Sequence, residues 1–124
     1  MRMWMIPPEY LCRQHLLAEH SECHYAKMMV EGERKTCGRR DLDWYKDHGF
    51  IEIQSIKSRH DALVEEMLRR GYKHHTPMEF ETNIRNLPVD IDRSYDDLID
   101  RCSECRERIC APPSNVIPMV RKVR

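Results

Sequence analysis

Residues 11–24, LCRQHLLAEHSECH, place side chains that can move protons or bind metals on a segment with helical apolar spacing. At 3.6 residues per turn, most of its apolar side chains share one arc, and His15, Glu19 and Glu22 lie inside that arc. A core-facing carboxylate loses hydration, so its pKa rises unless a cation or a hydrogen-bond donor compensates. Glu19 and Glu22 are therefore candidates for acid–base chemistry. The helix alone favours a plainer alternative, in which both glutamates pair with buried arginines or lie at the protein edge.

The cysteines suggest a second kind of chemistry, zinc binding. Cys102 and Cys105 have two residues between them and are followed by Cys110, and Cys12 and His15 form another pair with two residues between them. These spacings are permitted in zinc sites, but Cys102 and Cys105 also lie on the apolar stripe of a predicted helix, and no glycine marks a knuckle there. We therefore predict core cysteines and assign no metal ligand, with a non-enzymatic zinc-binding or partner-binding helical module as the alternative. The other histidines considered are interpreted as surface residues: His20, His24, His48, His74 and His75.

Composition sets the broad class of the protein. A chain of 124 residues predicts one domain, residues 1–124, with a modest core, and 21 basic against 21 acidic residues leave no net charge to identify a nucleic-acid binder. The two ends are basic, whereas residues 79–100 are strongly acidic. No stretch has the length of a membrane helix, and the start is too short and too broken by prolines for a signal peptide. We expect a cytoplasmic protein, nucleoid-associated or phage-encoded, with six reduced cysteines.

Three main helices are predicted to position these side chains. The first begins at the Pro7–Pro8 pair, continues to about Val30 and ends before Gly32. The second covers residues 55–70. The third begins with a Ser94 cap and continues past Cys105 on a narrow apolar stripe.

The segments between and after these helices are predicted to be irregular. Residues 31–40 form a charged loop and residues 41–50 an ordered surface loop, while the proline-containing tail from residue 111 is extended. The predicted fold is therefore all-α, compact and single-domain, with about three main helices, long loops and an extended C-terminal tail.

Two motifs carry a resemblance to a known family. QHLLAEHSE, residues 14–22, lies close to the chain start, and LVEEMLRRGY, residues 63–72, ends the second predicted helix. Together they resemble the pyrimidine-dimer DNA glycosylase/AP lyase family, typified by the small phage endonuclease V enzymes. The resemblance extends over roughly residues 1–75, and little of the remaining chain matches.

The resemblance implies that the α-amine of the first residue is the nucleophile and that a glutamate on the first helix lies beside it. Without gaps, it places the nucleophile on Met1, the adjacent arginine on Arg2, the Gln–His pair on Gln14 and His15, and the catalytic glutamate on Glu22. The phage enzymes lose their initiator methionine, whereas Arg2 is too large for the usual removal, so we expect a retained Met1.

The sequence also departs from the family pattern in ways that concern lesion choice more than reaction type. Ser21 and Tyr25 stand where the family has basic residues, and the family's aromatic-rich C-terminal segment is replaced by VIPMVRKVR. The implied function is repair of pyrimidine dimers or related damaged bases. An AP lyase, or a glycosylase for another modified base, is the alternative.

A chain terminus suits this chemistry because only an unprotonated amine attacks the sugar C1′. Ordinary α-amino groups have pKa values of roughly 7.7–8.0, against about 10.4 for lysine, a difference of about 3 kcal/mol in favour of the neutral amine. Attack would displace the base and form an imine, and β-elimination would then break the strand. Glu22 would stabilise positive charge on the sugar and transfer protons.

The expected partner is double-stranded damaged DNA, from which the damaged nucleotide must be flipped out. We expect a monomer, no cofactor and no membrane partner. Four residues are candidates for phosphate and groove contacts near the lesion: Arg2, Arg13, Gln14 and His15. Five more would contribute sequence-independent backbone binding, although any one of them could equally belong to a solvated loop: Lys27, Arg34, Lys35, Arg39 and Arg40.

Overall fold

The computed structural model describes residues 1–111 and confirms the all-α class. Three longer helices and two short ones are accompanied by a two-stranded antiparallel hairpin. The elements are α1 (Arg13–Val30), β1 (Thr36–Cys37), β2 (Arg40–Asp41), α2 (Leu42–Asp47), α3 (Ile56–Arg69), α4 (Ile91–Arg101) and α5 (Ser103–Cys110), with short 3₁₀ turns at Pro8–Tyr10 and Ile53–Ser55. The predicted extended tail lies outside the described residues beyond Ala111.

Helix α1 begins later than the proline pair predicted. Pro8 opens a separate 3₁₀ turn, Leu11 has extended backbone, and Cys12 then caps α1 by accepting the N–H of His15 on its sulfur. The predicted end at Val30 is confirmed, with Gly32 at a φ of 78° just beyond it. Helix α1 packs against α3, whose observed bounds agree closely with the predicted second helix.

The two predicted loops before α3 contain regular structure. Within residues 31–40 the chain forms the hairpin, and within residues 41–50 it forms α2, so both loop predictions were wrong in this respect. Asp41 caps α2 because its carboxylate accepts the Trp44 N–H at 2.9 Å. The helix is only six residues long, which is too short to show an apolar period in the sequence.

The predicted third helix is two helices. Asp90, not Ser94, caps α4 by accepting the Arg93 N–H, and Ser94 is buried inside the helix. Cys102 has extended backbone, with φ −129° and ψ 110°, and its sulfur caps α5 by accepting the Cys105 N–H. The break at Cys102 places two cysteines at the start of a helix, where the sequence had predicted one continuous apolar stripe.

The N-terminal segment runs through the core before α1 begins. Met3 and Ile6 are fully buried, and the Met3 N–H donates to the Phe50 carbonyl at 2.8 Å. The buried guanidinium of Arg59 donates to the Ile6 carbonyl at 2.6 Å. Arg70 donates to the Leu11 carbonyl at 2.7 Å. These contacts fix the chain start against α3 and the segment after α2.

None of the helices among residues 1–111 combines the length and the apolar character needed to cross a bilayer.

Candidate active site

The first residue lies between α1 and α2, held by contacts to both. The Arg2 N–H donates to Oε2 of Glu22 on α1 at 3.2 Å, and the Met1 α-amine donates to the Tyr45 hydroxyl on α2 at 3.5 Å. Because Arg2 N is joined to the amine nitrogen through only two carbons, its hydrogen bond holds the amine close to the carboxylate. The chain start is therefore docked, with Glu22 and Tyr45 beside it.

The Glu22 carboxyl has an altered proton affinity. Burial raises the pKa of this carboxyl above its usual range, although the Arg2 N–H and the positive charge of the Met1 amine oppose the rise. The negative charge of Glu19 adds to it. A carboxyl in this environment can both take up and release a proton close to the amine.

Glu19, the other candidate carboxylate, is engaged elsewhere. It is fully buried and forms a two-pronged ion pair with Arg59, with N···O distances of 2.5 and 2.9 Å. The plainer alternative, pairing with a buried arginine, therefore describes Glu19, whereas Glu22 accepts a backbone N–H and faces the α-amine.

An open pocket of about 380 Å³ lies in front of Met1. Its aromatic walls and its cations come from the N-terminal segment, the hairpin, α2 and the end of α4. The lining residues are Met1, Arg2, Trp4, Gly38, Arg40, Trp44, Tyr45, Phe50 and Arg101. Flat aromatic walls can stack against an extruded base, and guanidinium groups can bind phosphate.

Tyr45 was not identified from the sequence, although it contacts the nucleophile candidate directly. Its hydroxyl donates to the Cys37 carbonyl at 2.5 Å and accepts from the Met1 amine. Burial raises the pKa of the Tyr45 phenol, which keeps it protonated. The only sequence signal for this residue was the aromatic pair in a segment without an apolar period.

The profile of the family described as pyrimidine dimer DNA glycosylase matches residues 1–80 of this chain, which includes Met1, Glu22 and Tyr45. The chain belongs to this family. Curated proteins and solved structures give no significant match. The match ends at residue 80, before α4 and α5. Both helices therefore lie outside the region that this pyrimidine dimer DNA glycosylase family member shares with the family.

The structure brings two of the predicted DNA contacts in this family member, Arg2 and Arg40, to the pocket. The Arg2 guanidinium pairs with Asp97 at 2.7 Å and lies 4.2 Å from the centroid of the Trp4 ring. The Arg40 guanidinium lies 4.8 Å from the Trp44 ring. Both cations thus lie over pocket walls. The exposed Arg40 can meet a phosphate directly, whereas Arg2 is largely buried and would have to leave Asp97 to do so.

The remaining predicted DNA contacts lie away from the pocket. Arg13 and Gln14 are exposed at the start of α1, and Lys27 pairs with Glu31 at 2.7 Å. The Arg34 guanidinium lies over the Tyr25 ring. Lys35 and Arg39 are exposed in and beside the hairpin. His15 turns its Nδ1 towards the sulfur of Cys12 at 3.2 Å. Their contacts with DNA stay predictions.

Among residues 1–111, two groups of side chains are close enough to hold a metal ion. One contains Cys12, His15, Cys102 and Cys105, and the other contains His20, His24, His60 and His74.

The prediction that His20 is a surface residue was wrong, because its ring is buried against His60, with ring centroids 4.9 Å apart. Burial, together with the positive charge that the neighbouring histidines His60, His24 and His74 can carry, lowers the pKa of His20 to about 4. Members of this group lie up to 54 residues apart in the sequence, so helical periodicity could not predict that they meet.

Proposed function

We propose that this protein is a DNA glycosylase and AP lyase for pyrimidine dimers in double-stranded DNA, with the Met1 α-amine as nucleophile and Glu22 as proton-transfer residue. The observation that carries the proposal is the Arg2 N–H to Glu22 hydrogen bond, which holds the chain start beside a carboxyl of raised pKa, while Met1 and Arg2 themselves line the aromatic pocket. Membership of the pyrimidine dimer DNA glycosylase family supports the substrate.

The glycosylase step begins with an extruded nucleotide in the pocket. The neutral Met1 amine attacks C1′ of the sugar, the C1′–N bond breaks, and the electron pair of that bond leaves with the base. The amine then loses a proton, the ring oxygen takes up a proton as the C1′–O bond opens, and an imine links Met1 to the sugar. Glu22 is placed to carry these protons because its carboxyl lies next to the amine.

The lyase step follows from the imine. Removal of a C2′ proton sends electrons towards the imine, and the C3′–O bond breaks, so the 3′ phosphate leaves and the strand is cut. The carboxylate form of Glu22, which interacts electrostatically with the amine, is the candidate base, and its acid form can return the proton when water releases the product. Arg2 and Arg40 would hold phosphates on either side of the flipped nucleotide.

The α-amine assignment is tested by moving the amine. The protein is produced behind a tag that a protease removes flush before Met1, and intact mass verifies which residue begins the chain. Tagged and untagged protein are then incubated with duplexes that carry a pyrimidine dimer or an abasic site, with borohydride present to reduce any imine. The tagged protein should form no covalent adduct, and removal of the tag should restore it.

Two results would contradict parts of this proposal. Equal trapping by the tagged protein would exclude the α-amine as nucleophile. Trapping with abasic DNA and none with dimer DNA would leave the lyase chemistry intact but exclude dimers as the substrate. A panel of duplexes with other damaged bases would then identify the lesion.

A further inference from the structure

We propose that Cys12, His15, Cys102 and Cys105 bind one structural zinc ion that joins the start of α1 to the start of α5. One potential ligand atom from each residue lies within 4.8 Å of the other three. The two pairs have the spacings Cys-x-x-His and Cys-x-x-Cys, which are frequent in zinc sites. Cys110, also considered from the sequence, is exposed and lies outside the group.

The separations of the ligand atoms agree with a tetrahedral ion. A tetrahedron with Zn–S bonds of about 2.3 Å and Zn–N bonds of about 2.0–2.1 Å requires S···S distances of about 3.8 Å and S···N distances of about 3.6 Å. The Cys12 and Cys102 sulfurs are 3.9 Å apart. His15 Nδ1 lies 3.2 Å from the Cys12 sulfur and 3.5 Å from the Cys105 sulfur. Small adjustments would therefore complete the coordination.

Backbone N–H groups already point at all three sulfurs. The Cys12 N–H donates to the Cys105 sulfur at 3.2 Å, the His15 N–H to the Cys12 sulfur at 3.4 Å, and the Cys105 N–H to the Cys102 sulfur at 3.4 Å. Cys12 and Cys102 are also the N-cap residues of α1 and α5. N–H groups directed at sulfur are the outer contacts that orient cysteine ligands around a metal ion, so this geometry agrees with a metal site.

The ligand set indicates a closed structural site rather than a catalytic one. Three thiolates and one imidazole are preferred by zinc, and four protein ligands leave no open position for water or substrate. Cys12 and Cys105 are buried, and Cys102 and His15 are half-buried. The core-cysteine interpretation explains the burial, but it does not explain why the predicted helix breaks at Cys102 and brings a third sulfur to the Cys12 sulfur.

The site would attach a region outside the family match to the active-site region. Cys102 and Cys105 follow the matched residues 1–80, whereas Cys12 and His15 lie within them. The His15 ring contacts the edge of Trp4, with centroids 5.8 Å apart, and Trp4 lines the pocket at Met1. Zinc bound through His15 Nδ1 would fix this ring and leave Nε2 free for other contacts. The inference does not depend on the proposed nucleophile.

Elemental analysis of protein purified under reducing conditions without chelator tests the stoichiometry. We expect one zinc per chain, retained in Cys110→Ala and lost in Cys102→Ala/Cys105→Ala. A chelator should lower the Tm of the wild-type protein by more than about 5 °C and leave that of the double variant unchanged. Zinc absent from the reduced wild-type protein, even after incubation with added zinc, would overturn the proposal.

Cobalt substitution distinguishes this site from the four-histidine group, and the wild-type spectrum alone reports the ligands without depending on a variant. The His20→Ala/His74→Ala variant is used only after circular dichroism has shown that it is folded. Tetrahedral cobalt bound by three thiolates gives strong visible d–d bands and near-ultraviolet thiolate-to-metal charge transfer. We expect both signals, unchanged in His20→Ala/His74→Ala. Bound cobalt without the charge-transfer band, or metal lost in the histidine variant, would overturn the assignment to the cysteines. Reduced thiols fewer than six by titration, with no zinc, would identify a disulfide instead.

Discussion

Glu19 and Glu22 lie one turn apart on α1, both directed inward, yet their surroundings differ in kind. Glu19 is sealed from solvent and holds the guanidinium of Arg59 through both of its oxygens. Arg59 in turn holds the Ile6 carbonyl of the N-terminal segment. Glu22 is only half-buried and accepts the N–H of Arg2, and among residues 1–111 no side-chain cation forms an ion pair with it.

This difference shows how one helix can carry a structural carboxylate and a reactive one. A carboxylate that is fully paired with a cation fixes the elements around it. A desolvated carboxylate that accepts only a backbone N–H can gain or lose a proton more readily. Glu19 fixes the segment that leads to Met1, and Glu22 meets the end of that segment. Glu19 thus positions the N-terminal segment, and Glu22 is the carboxyl available for proton transfer.

The largest expected effect is on catalysis. Glu22→Gln keeps the size of the side chain and an acceptor for the Arg2 N–H, but it removes the titrating proton. We expect single-turnover strand cleavage of abasic duplex to fall by about 10²- to 10⁴-fold. Glu65→Gln, on the exposed face of α3, serves as the matched control and should leave the rate unchanged. A Glu22→Gln variant that cleaves at the wild-type rate would remove Glu22 from the mechanism.

The second effect is on folding. Glu19→Gln leaves Arg59 buried without a countercharge, and we expect the free energy of unfolding to fall by about 3–5 kcal/mol in urea titrations. Replacing both partners, as in Glu19→Gln/Arg59→Met, should recover part of that loss because no charge remains buried. A Glu19→Gln variant as stable as the wild type would contradict the structural role of the pair.

The smallest effect is the pH dependence of the Glu22 contribution to stability. Since the folded-state pKa of Glu22 is raised, the folded protein holds this proton more tightly than the unfolded chain, and stability is lost as pH rises through the folded pKa. Glu22→Gln should therefore gain slightly in stability relative to wild type as pH rises from about 4.5 to neutrality. Thermal unfolding of both proteins across this range measures the difference. A relative loss for Glu22→Gln would contradict a raised pKa of Glu22.

Local signals in the sequence predicted one part of this site. Inward Glu19 and Glu22 followed from helical periodicity, and the motif at residues 14–22 pointed to Met1 and Glu22 as a pair. Periodicity could not separate the two carboxylates, because the cation that distinguishes Glu19 comes from α3, 40 residues away.

Other features depended on contacts that no short segment encodes. Tyr45 lies on a helix too short to show a period. Cys102 was predicted inside a helix because cysteine fits an apolar stripe, whereas its sulfur ends one helix and caps the next. The four-histidine group assembles from α1, α3 and the segment after α3, so His20, His24 and His74 looked like separate surface residues in the sequence.

The most direct test of the central claim is the position of the covalent bond. Wild-type protein is trapped with borohydride on an abasic duplex, the adduct is digested, and the modified peptide is sequenced by mass spectrometry. We predict that the sugar remnant is attached to the α-nitrogen of Met1. Attachment to a lysine side chain, such as Lys27 or Lys35, would contradict the account.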